Sequence, residues 1–472
     1  MKPLSLHQIR KAIGGKALTP IPATVPPIAA ICIDTRRLEK GCLFVAIKGD
    51  KFDAHRFLRD AAGAGAIAAL VDHVPAETLP NVHLIHVPDT RVALGKLARY
   101  VRQQMISKVI AVGGSNGKTS TKNLIDAALR GKLRGSISPK SFNNDIGVPL
   151  TIFPADPSQD YLVLEMGTNH HGEIKILSDM ALPDIAVITN CTAEHLEGLD
   201  DLAGVRREEA SIISGLNKKG LLVVNGDDDE LLTLVQPYAG KRITFGFKHT
   251  NDLFATEIQC DEKGVSFLLN NNPRRRIFIP ILGKHTAANA LAAIAVARRM
   301  GLNEDSVIQS LAQANGPEMR LQLQHIGHLT LLNDAYNANP ASMRAALETL
   351  CSLSASSRRI AVLGDMRELG QSSERFHREM GEFVATCPLD RLLCVGPLST
   401  MIAKVAKESG MKANAISHHP DAADAAKALS AFVRPNDTIL LKGSRAIHLE
   451  EIAATLETAS QPARTTRRRT AS

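Results

Sequence analysis

The chain has 472 residues, 44% hydrophobic and 22% charged, with 56 Lys plus Arg against 48 Asp plus Glu. That length exceeds one ordinary hydrophobic core, so two to four domains are expected, and the composition is that of a soluble globular protein rather than a disordered one. No apolar run is long enough to span a bilayer and Met1-Lys2-Pro3-Leu4 lacks a signal-peptide core, which predicts a cytoplasmic protein without a membrane span.

Half of the net charge of +8 comes from Arg464, Arg467, Arg468 and Arg469 near the C-terminus. What remains suits a small polyanionic substrate as well as nucleic acid, and the absence of Trp with only four Tyr leaves little surface for stacking bases. The seven cysteines form no C-x-x-C pair and are odd in number, so buried reduced thiols are expected rather than a disulfide framework or zinc knuckle.

Residues 1–104 alternate short apolar runs with helical stretches. Ile31-Cys32-Ile33 leads into Asp34-Thr35-Arg36-Arg37, and Leu43 to Ile47 leads into Lys48-Gly49. Both polar ends are either anion-binding loops or solvated turns, and spacing does not decide between them. An Ala/Gly-rich helix is expected before the strand Ala68-Ala69-Leu70-Val71, and Leu97 to Val101 closes this domain with a helix.

At Val109 to Val112 an apolar run ends in Gly113-Gly114-Ser115-Asn116-Gly117-Lys118-Thr119-Ser120, and Leu124, Ile125, Ala128 and Leu129 then repeat at helical spacing. Strand, glycine turn and helix make a phosphate cradle: backbone N–H groups converge on an anion, Lys118 neutralises it, and Thr119 can ligate Mg²⁺. The match to G-x-x-x-x-G-K-[ST] is imperfect, because its first Gly falls on Val112.

The same event recurs along residues 105–318. Tyr161 to Leu164 is followed by Glu165, Ile185 to Ile188 by Thr189-Asn190, and Leu221 to Val224 by Asn225-Gly226-Asp227. Such strands predict a parallel sheet covered on both faces, with ligands beyond its carboxyl ends. That rule gathers Lys118, Thr119, Glu165 and the Asn190–Glu197 loop. Glu165 is then either a metal carboxylate or a solvated strand end, and His195 a ligand or a structural histidine. Residues 243–280 read as antiparallel, with a turn at Asn270-Asn271-Asn272-Pro273 and a solvated basic run Arg274–Arg276, and an Ala-rich helix is expected over 290–298. From 319 the theme restarts with Leu332-Asn333-Asp334, Leu363-Gly364-Asp365, Val395-Gly396 and Leu441-Lys442-Gly443, a separate doubly wound domain without a phosphate loop. The tail from Gln461 to Ser472 is expected to be disordered.

Taken together these motifs resemble the Mur ligase family, ATP-dependent amide-forming enzymes of peptidoglycan precursor synthesis, over nearly the whole chain apart from the tail. The family's shorter G-x-[NS]-G-K-[ST]-[ST] cradle accounts for the imperfect loop. Asn143-Asn144-Asp145-Ile146-Gly147-Val148-Pro149, Asp334-Ala335-Tyr336-Asn337-Ala338-Asn339-Pro340 and Leu363 to Gly370 are similar to the branch that joins D-alanyl-D-alanine to UDP-N-acetylmuramoyl-tripeptide. The alternatives are the branch that adds the third peptide residue and a nucleotide-binding regulatory protein without catalysis.

The resemblance implies an α/β fold of three domains: an N-terminal UDP-sugar-peptide domain (1–104), a central P-loop-type parallel-sheet ATPase domain (105–318) and a C-terminal Rossmann-like domain (319–460). It implies ATP and Mg²⁺ as cofactors, UDP-N-acetylmuramoyl-tripeptide and D-alanyl-D-alanine as substrates, no nucleic acid, and a monomer. Gly114, Asn116, Gly117, Lys118, Thr119 and Ser120 would hold phosphates, Asn289 adenine, Asp334 ribose and Arg320 the γ-phosphate, while Thr119 and Glu165 would serve one Mg²⁺ and His195 a second. Thr35, Arg36, Lys48, Gly49, Asn143, Asn144 and Asn337 would meet the substrates. Catalysis would rest on Lys118, Glu165, His195 and Arg320, with domain closure excluding water from an acyl phosphate.

Two positions depart from the family pattern. Many members carry a carbamylated lysine after H-L-E, where this register puts Glu209. Either Glu209 supplies the metal-linked carboxylate directly or it is a surface-helix glutamate. Glu318-Met319-Arg320 stands where Pro-Gly-Arg is usual, which bears on Arg320.

Overall fold

The computed structural model describes residues 1–49, 52–75, 79, 81–353 and 358–460, and the tail expected to be disordered lies outside them. Its three-domain α/β architecture is built on three sheets. By internal contacts the chain forms two compact units, Met1–Cys191 with Arg206–Asp252 and Ala292–Val307, and Thr192–Val205 with Leu253–Leu291 and Ile308 onward.

The first unit holds the five-stranded sheet and six strands of the nine-stranded one. In the smaller, the strands run in the order Lys16–Ala17, His83–His86, Ala68–Val71, Leu43–Val45, Ile31–Cys32, parallel except for the first pair. In the larger, Lys241–Gly246, Leu221–Asn225, Ile185–Ile188, Lys108–Gly113, Tyr161–Glu165 and Gly135–Ile137 pair in parallel. All four residues of Ile185–Ile188 and all five of Tyr161–Glu165 are buried, as a sheet covered on both faces requires. The expectation of antiparallel structure from residue 243 is corrected here. Lys241–Gly246 continues the parallel sheet, because its Phe245 and Gly246 are as buried as its neighbours, and alternation does not separate the two strand types in a short run.

Beyond that strand the pairing is antiparallel, among Leu253–Asp261, Gly264–Leu269 and Arg276–Ile279 of the second unit. Asn270 (φ 50°) and Asn271 (φ 58°) adopt the left-handed conformation of the expected turn, which asparagine tolerates. The expected Ala-rich helix runs from His285 to Arg299, and every residue from Ala290 to Ala297 is fully buried. A helix apolar on all sides belongs inside, and small side chains let its neighbours approach.

The unit's six-stranded sheet has the order Gln322–Ile326, Leu329–Asp334, Thr438–Lys442, Arg359–Gly364, Arg391–Val395, Ile416–His419, with only the first pair antiparallel. None of the seven cysteines is in a disulfide, but only Cys42, Cys191 and Cys394 are fully buried; the other four are partly accessible.

Asp365, just beyond one strand end, is buried; its Oδ1 accepts the Ser399 N–H at 2.8 Å and its Oδ2 has no partner. Burial pushes this carboxyl above the ordinary aspartate value, opposed by the Ser399 N–H and by the neighbouring His377 and Arg367. His377 is itself held toward the neutral form by burial; its Nε2 accepts from Met366 N and its Nδ1 donates to the Ser373 carbonyl. A carboxyl whose folded pKa is raised contributes its full stability below the unfolded value and loses it as pH rises through the folded one. Wild-type protein should therefore lose stability relative to Asp365→Asn between pH 4 and pH 8 in urea unfolding. Parallel pH profiles for the two proteins would contradict this.

Candidate active site

Strand Lys108–Gly113 delivers the chain to a turn in which Gly114 (φ 115°) and Gly117 (φ 82°) take left-handed conformations, and helix Lys118–Arg130 begins at once. The turn is braced from the neighbouring strand end. Ser115 N donates to the Asn190 carbonyl (2.7 Å), Asn116 N to Asn190 Oδ1 (3.0 Å), and Thr189 Oγ1 and Asn190 Nδ2 both donate to the Asn116 carbonyl (2.7 and 2.8 Å). Lys118 Nζ lies on the Gly114 and Ser115 carbonyls at 2.6 and 2.8 Å. A braced loop of this kind, with a helix N-terminus and a lysine, binds an anion without having to be reorganised first. Ser120 follows on the first helical turn and is half-buried.

Glu165 is not a solvated strand end: its side chain is 1% exposed. Its Oε2 accepts from Thr119 Oγ1 (2.9 Å) and lies 3.0 Å from Lys122 Nζ, and its Oε1 accepts from Asn143 Nδ2 (3.2 Å). A hydroxyl and a buried carboxylate beside a phosphate loop are the hard oxygen donors that Mg²⁺ selects, so the residues present fit that ion. Lys122 was not foreseen as part of the site. Its signal was its position four residues after Lys118, which puts the two ammonium groups on one face of the helix.

The adjacent glutamates of helix Leu202–Ala210 separate by role, because successive helical residues point about 100° apart. Glu208 accepts the Gly172 and Ile174 N–H groups (both 2.7 Å) at the start of helix Glu173–Ala181. Glu209 instead reaches the phosphate loop, where its Oε2 accepts Gly114 N–H at 2.6 Å. It is 1% exposed, which removes the surface-helix alternative.

The residues expected on the substrate side divide. Asn143 joins the Glu165 cluster, whereas exposed Asn144 uses its Oδ1 to accept Ile146 and Gly147 N–H in the turn that leads into the helix Gly147–Ile152. Asp145 next to them forms a two-pronged pair with Arg91 of helix Thr90–Arg102 (2.8 and 2.6 Å). Thr35 and Arg36 lie on a single turn capped by Asp34, and Arg36 is clamped on that carboxylate, whose pKa its hydrogen bonds hold down to about 2. Lys48 and Gly49 are exposed, and Gly49 N donates to the Phe52 carbonyl at 2.7 Å.

His195, Asn289, Arg320, Asp334 and Asn337 belong to the second compact unit. His195 (φ 51°) directs its Nδ1 to Glu368, and neighbouring Glu194 accepts from Asn339 Nδ2 (3.1 Å). Buried Asp334 meets Lys442 Nζ at 2.7 Å and accepts Leu321 N–H (3.0 Å), while Lys442 also donates to the carbonyl of exposed Asn337 (2.6 Å). Burial pushes the Lys442 ammonium below its ordinary value, and the Asp334 charge opposes this. Arg320 packs over the Tyr336 ring, 4.1 Å from its centroid. Met319 holds a left-handed conformation (φ 56°) that favours glycine, so the backbone before Arg320 carries local strain. The Asn289 amide nitrogen is buried without a partner, a donor that a ligand could satisfy.

Family models match three segments: "Mur ligase family, catalytic domain" at 27–102, "Mur ligase middle domain" at 112–297 and "Mur ligase, glutamate ligase domain" at 319–445. The chain belongs to the Mur ligase family, MurF type. A relative from Bacillus subtilis named UDP-N-acetylmuramoyl-tripeptide–D-alanyl-D-alanine ligase is 37% identical, covering 91% of this chain and 93% of its own. The crystal structure of MurF from Acinetobacter baumannii superposes with a TM-score of 0.87 at 32% identity, covering 97% of this chain and 99% of that one. MurF ligase from Thermotoga maritima in complex with ADP gives 0.81 at 27% identity, covering 91% and 97%.

Proposed function

We infer that the protein is an ATP-dependent ligase that joins D-alanyl-D-alanine to UDP-N-acetylmuramoyl-tripeptide in the assembly of peptidoglycan precursors. The observation that carries this is the braced phosphate loop with buried Glu165 on Thr119, in a chain similar along most of its length to ligases of that name. A free peptide carboxylate takes the γ-phosphoryl group of ATP through one of its oxygens, and ADP leaves. The amine of the dipeptide then attacks the acyl carbon, the C–O bond to phosphate breaks, and the nitrogen loses a proton as the amide forms.

In-line transfer between two anions is limited by charge repulsion and alignment. Gly114, Asn116, Gly117, Thr119 and Ser120 would seat the phosphates through the loop and helix start, and Lys118 would neutralise them. Thr119 and Glu165 would hold Mg²⁺, which when bound neutralises phosphate oxygens, and His195 is proposed for a second ion. Asn289, Asp334 and Arg320 are assigned to adenine, ribose and γ-phosphate. Thr35, Arg36, Lys48 and Gly49 are assigned to the UDP end and Asn143, Asn144 and Asn337 to the sugar-peptide and dipeptide. The domain limits 1–104, 105–318 and 319–460, a monomeric state and a cytoplasmic location belong to the same reading. The test is phosphate release with ATP, Mg²⁺ and UDP-N-acetylmuramoyl-tripeptide, with and without D-alanyl-D-alanine. No dipeptide-dependent release with either the lysine or the diaminopimelate tripeptide would refute it.

Glu209 is proposed to supply the carboxylate that carbamylation creates in relatives, making activity independent of bicarbonate. Its position on the Gly114 N–H supports this. Glu209→Ala should lose at least about tenfold in rate, the effect of one lost charged partner, and recover part of it with formate or acetate. Full activity of that variant without additives would contradict the proposal.

A further inference from the structure

A lysine on the second turn of a nucleotide-binding helix would ordinarily face water. Lys122 does not: its side chain is 2% exposed and Glu165 beside it is 1% exposed. Burying both charges is costly unless each is fully engaged. The ammonium meets the Ser138 carbonyl (2.9 Å), the Lys140 carbonyl (2.5 Å) and Glu165 Oε2 (3.0 Å). The carboxylate in turn has Thr119 on Oε2 and Asn143 on Oε1. The same segment is stitched to the strand that carries Glu165, because Ser138 Oγ accepts Glu165 N–H (2.9 Å) and Ser138 N donates to the Val163 carbonyl (2.9 Å).

We propose that Lys122 is a positioning residue of the metal–nucleotide site, fixing the Glu165 carboxylate toward Thr119 and balancing its charge so that the metal is held strongly only together with the nucleotide. Without Lys122 the carboxylate is a buried anion with two hydrogen bonds and freedom to turn. With Lys122, Glu165 and its countercharge sum to zero, and a divalent cation arriving alone gains little. The phosphates on the Lys118 loop supply the missing negative charge, so metal and nucleotide reinforce each other's binding. Because Lys122 also holds the Ser138 and Lys140 carbonyls, the segment leading to Asn143 is set in the same act. None of this requires Lys122 to touch a substrate.

The proposal rests on the ATP-using reading above, and the experiment separates the two. ADP affinity is measured by calorimetry on the full chain in EDTA and in saturating Mg²⁺, for wild type and Lys122→Met. Wild type should gain affinity with Mg²⁺. Lys122→Met should bind metal-free ADP within about threefold of wild type, since the loop is intact, while its Mg²⁺-dependent gain falls at least about tenfold. A general packing defect would weaken both. An undiminished gain in folded Lys122→Met overturns the proposal; absence of ADP binding by wild type overturns the ATP-using reading and the proposal with it. Should the variant not fold, a crystal structure of wild type with ADP and Mg²⁺ decides. Lys122 must remain within 3.5 Å of a Glu165 that ligates the ion directly or through one water, in line with hydrogen-bond and ion-pair reach of about that distance. A Lys122 that has left the carboxylate, or a Glu165 outside the metal's shell, overturns it.

Discussion

Lys118→Ala is expected to reduce ATP-dependent phosphate release about a thousandfold, equivalent to roughly 4 kcal/mol of transition-state stabilisation. The estimate follows from where the ammonium sits. Lys118 is held over the loop by the Gly114 and Ser115 carbonyls, at the N-terminus of a helix, with the braced N–H groups around it. Charge that develops during phosphoryl transfer there is screened poorly by water, so one missing cation counts heavily. The helix should persist, because its packing is carried by Leu124, Ile125, Ala128 and Leu129, which are buried on its far turns. Thermal melting should therefore move only a few degrees while turnover collapses. A variant that keeps a tenth of the wild-type rate would show that Lys118 is not the central cation.

Gly114→Ala should be the most damaging single methyl group in the site. At φ 115° the residue is in a region that L side chains avoid, and an added Cβ would stand 2.1 Å from Thr189 Oγ1, 2.8 Å from Thr189 N and 3.0 Å from Asn190 N. Two of those three atoms are backbone of the strand end that braces the loop, so no side-chain rotation relieves the clash. The loop must leave Asn190, and ADP affinity should fall at least about a hundredfold, some 2.7 kcal/mol. Gly172→Ala is the control. Its φ of 86° carries the backbone strain, but nothing lies within 4 Å of the new carbon. It should cost on the order of 1–2 kcal/mol of stability and leave ADP binding unchanged. Equal ADP affinities for the two variants would mean that the contact with Thr189 and Asn190 does not shape the loop.

The parts of the site readable from sequence were those encoded by neighbours along the chain. Gly114 to Ser120 announces a turn and a helix start, and the periodicity of Leu124 to Leu129 names the buried face. What periodicity could not show is that Lys122 and Asp126 are buried on the same helix as polar residues, because each meets a partner far along the chain: Lys122 pairs with Glu165, and Asp126 accepts from the Tyr161 hydroxyl at 2.7 Å. The start of antiparallel structure was placed too early for a related reason. Lys241–Gly246 and Leu253–Asp261 both mix apolar with polar residues, and only pairing partners tell them apart.

By itself the sequence determined the family, the phosphate cradle and the identity of most polar residues at strand ends, since these depend on glycine conformations, apolar runs and spacings of a few residues. Folding in three dimensions settles which of Glu208 and Glu209 turns to the phosphate loop, that Asn144 folds back on its own turn while Asn143 joins Glu165, and that Met319 holds a glycine's conformation. It also placed His195, Arg320 and Asp334 in a compact unit separate from that of Lys118. Apart from the Asn144 turn and the Met319 backbone angle, which are local, these outcomes turn on hydrogen bonds between residues tens of positions apart. Local preference cannot encode them, because each partner is chosen by the packing that brings the two together.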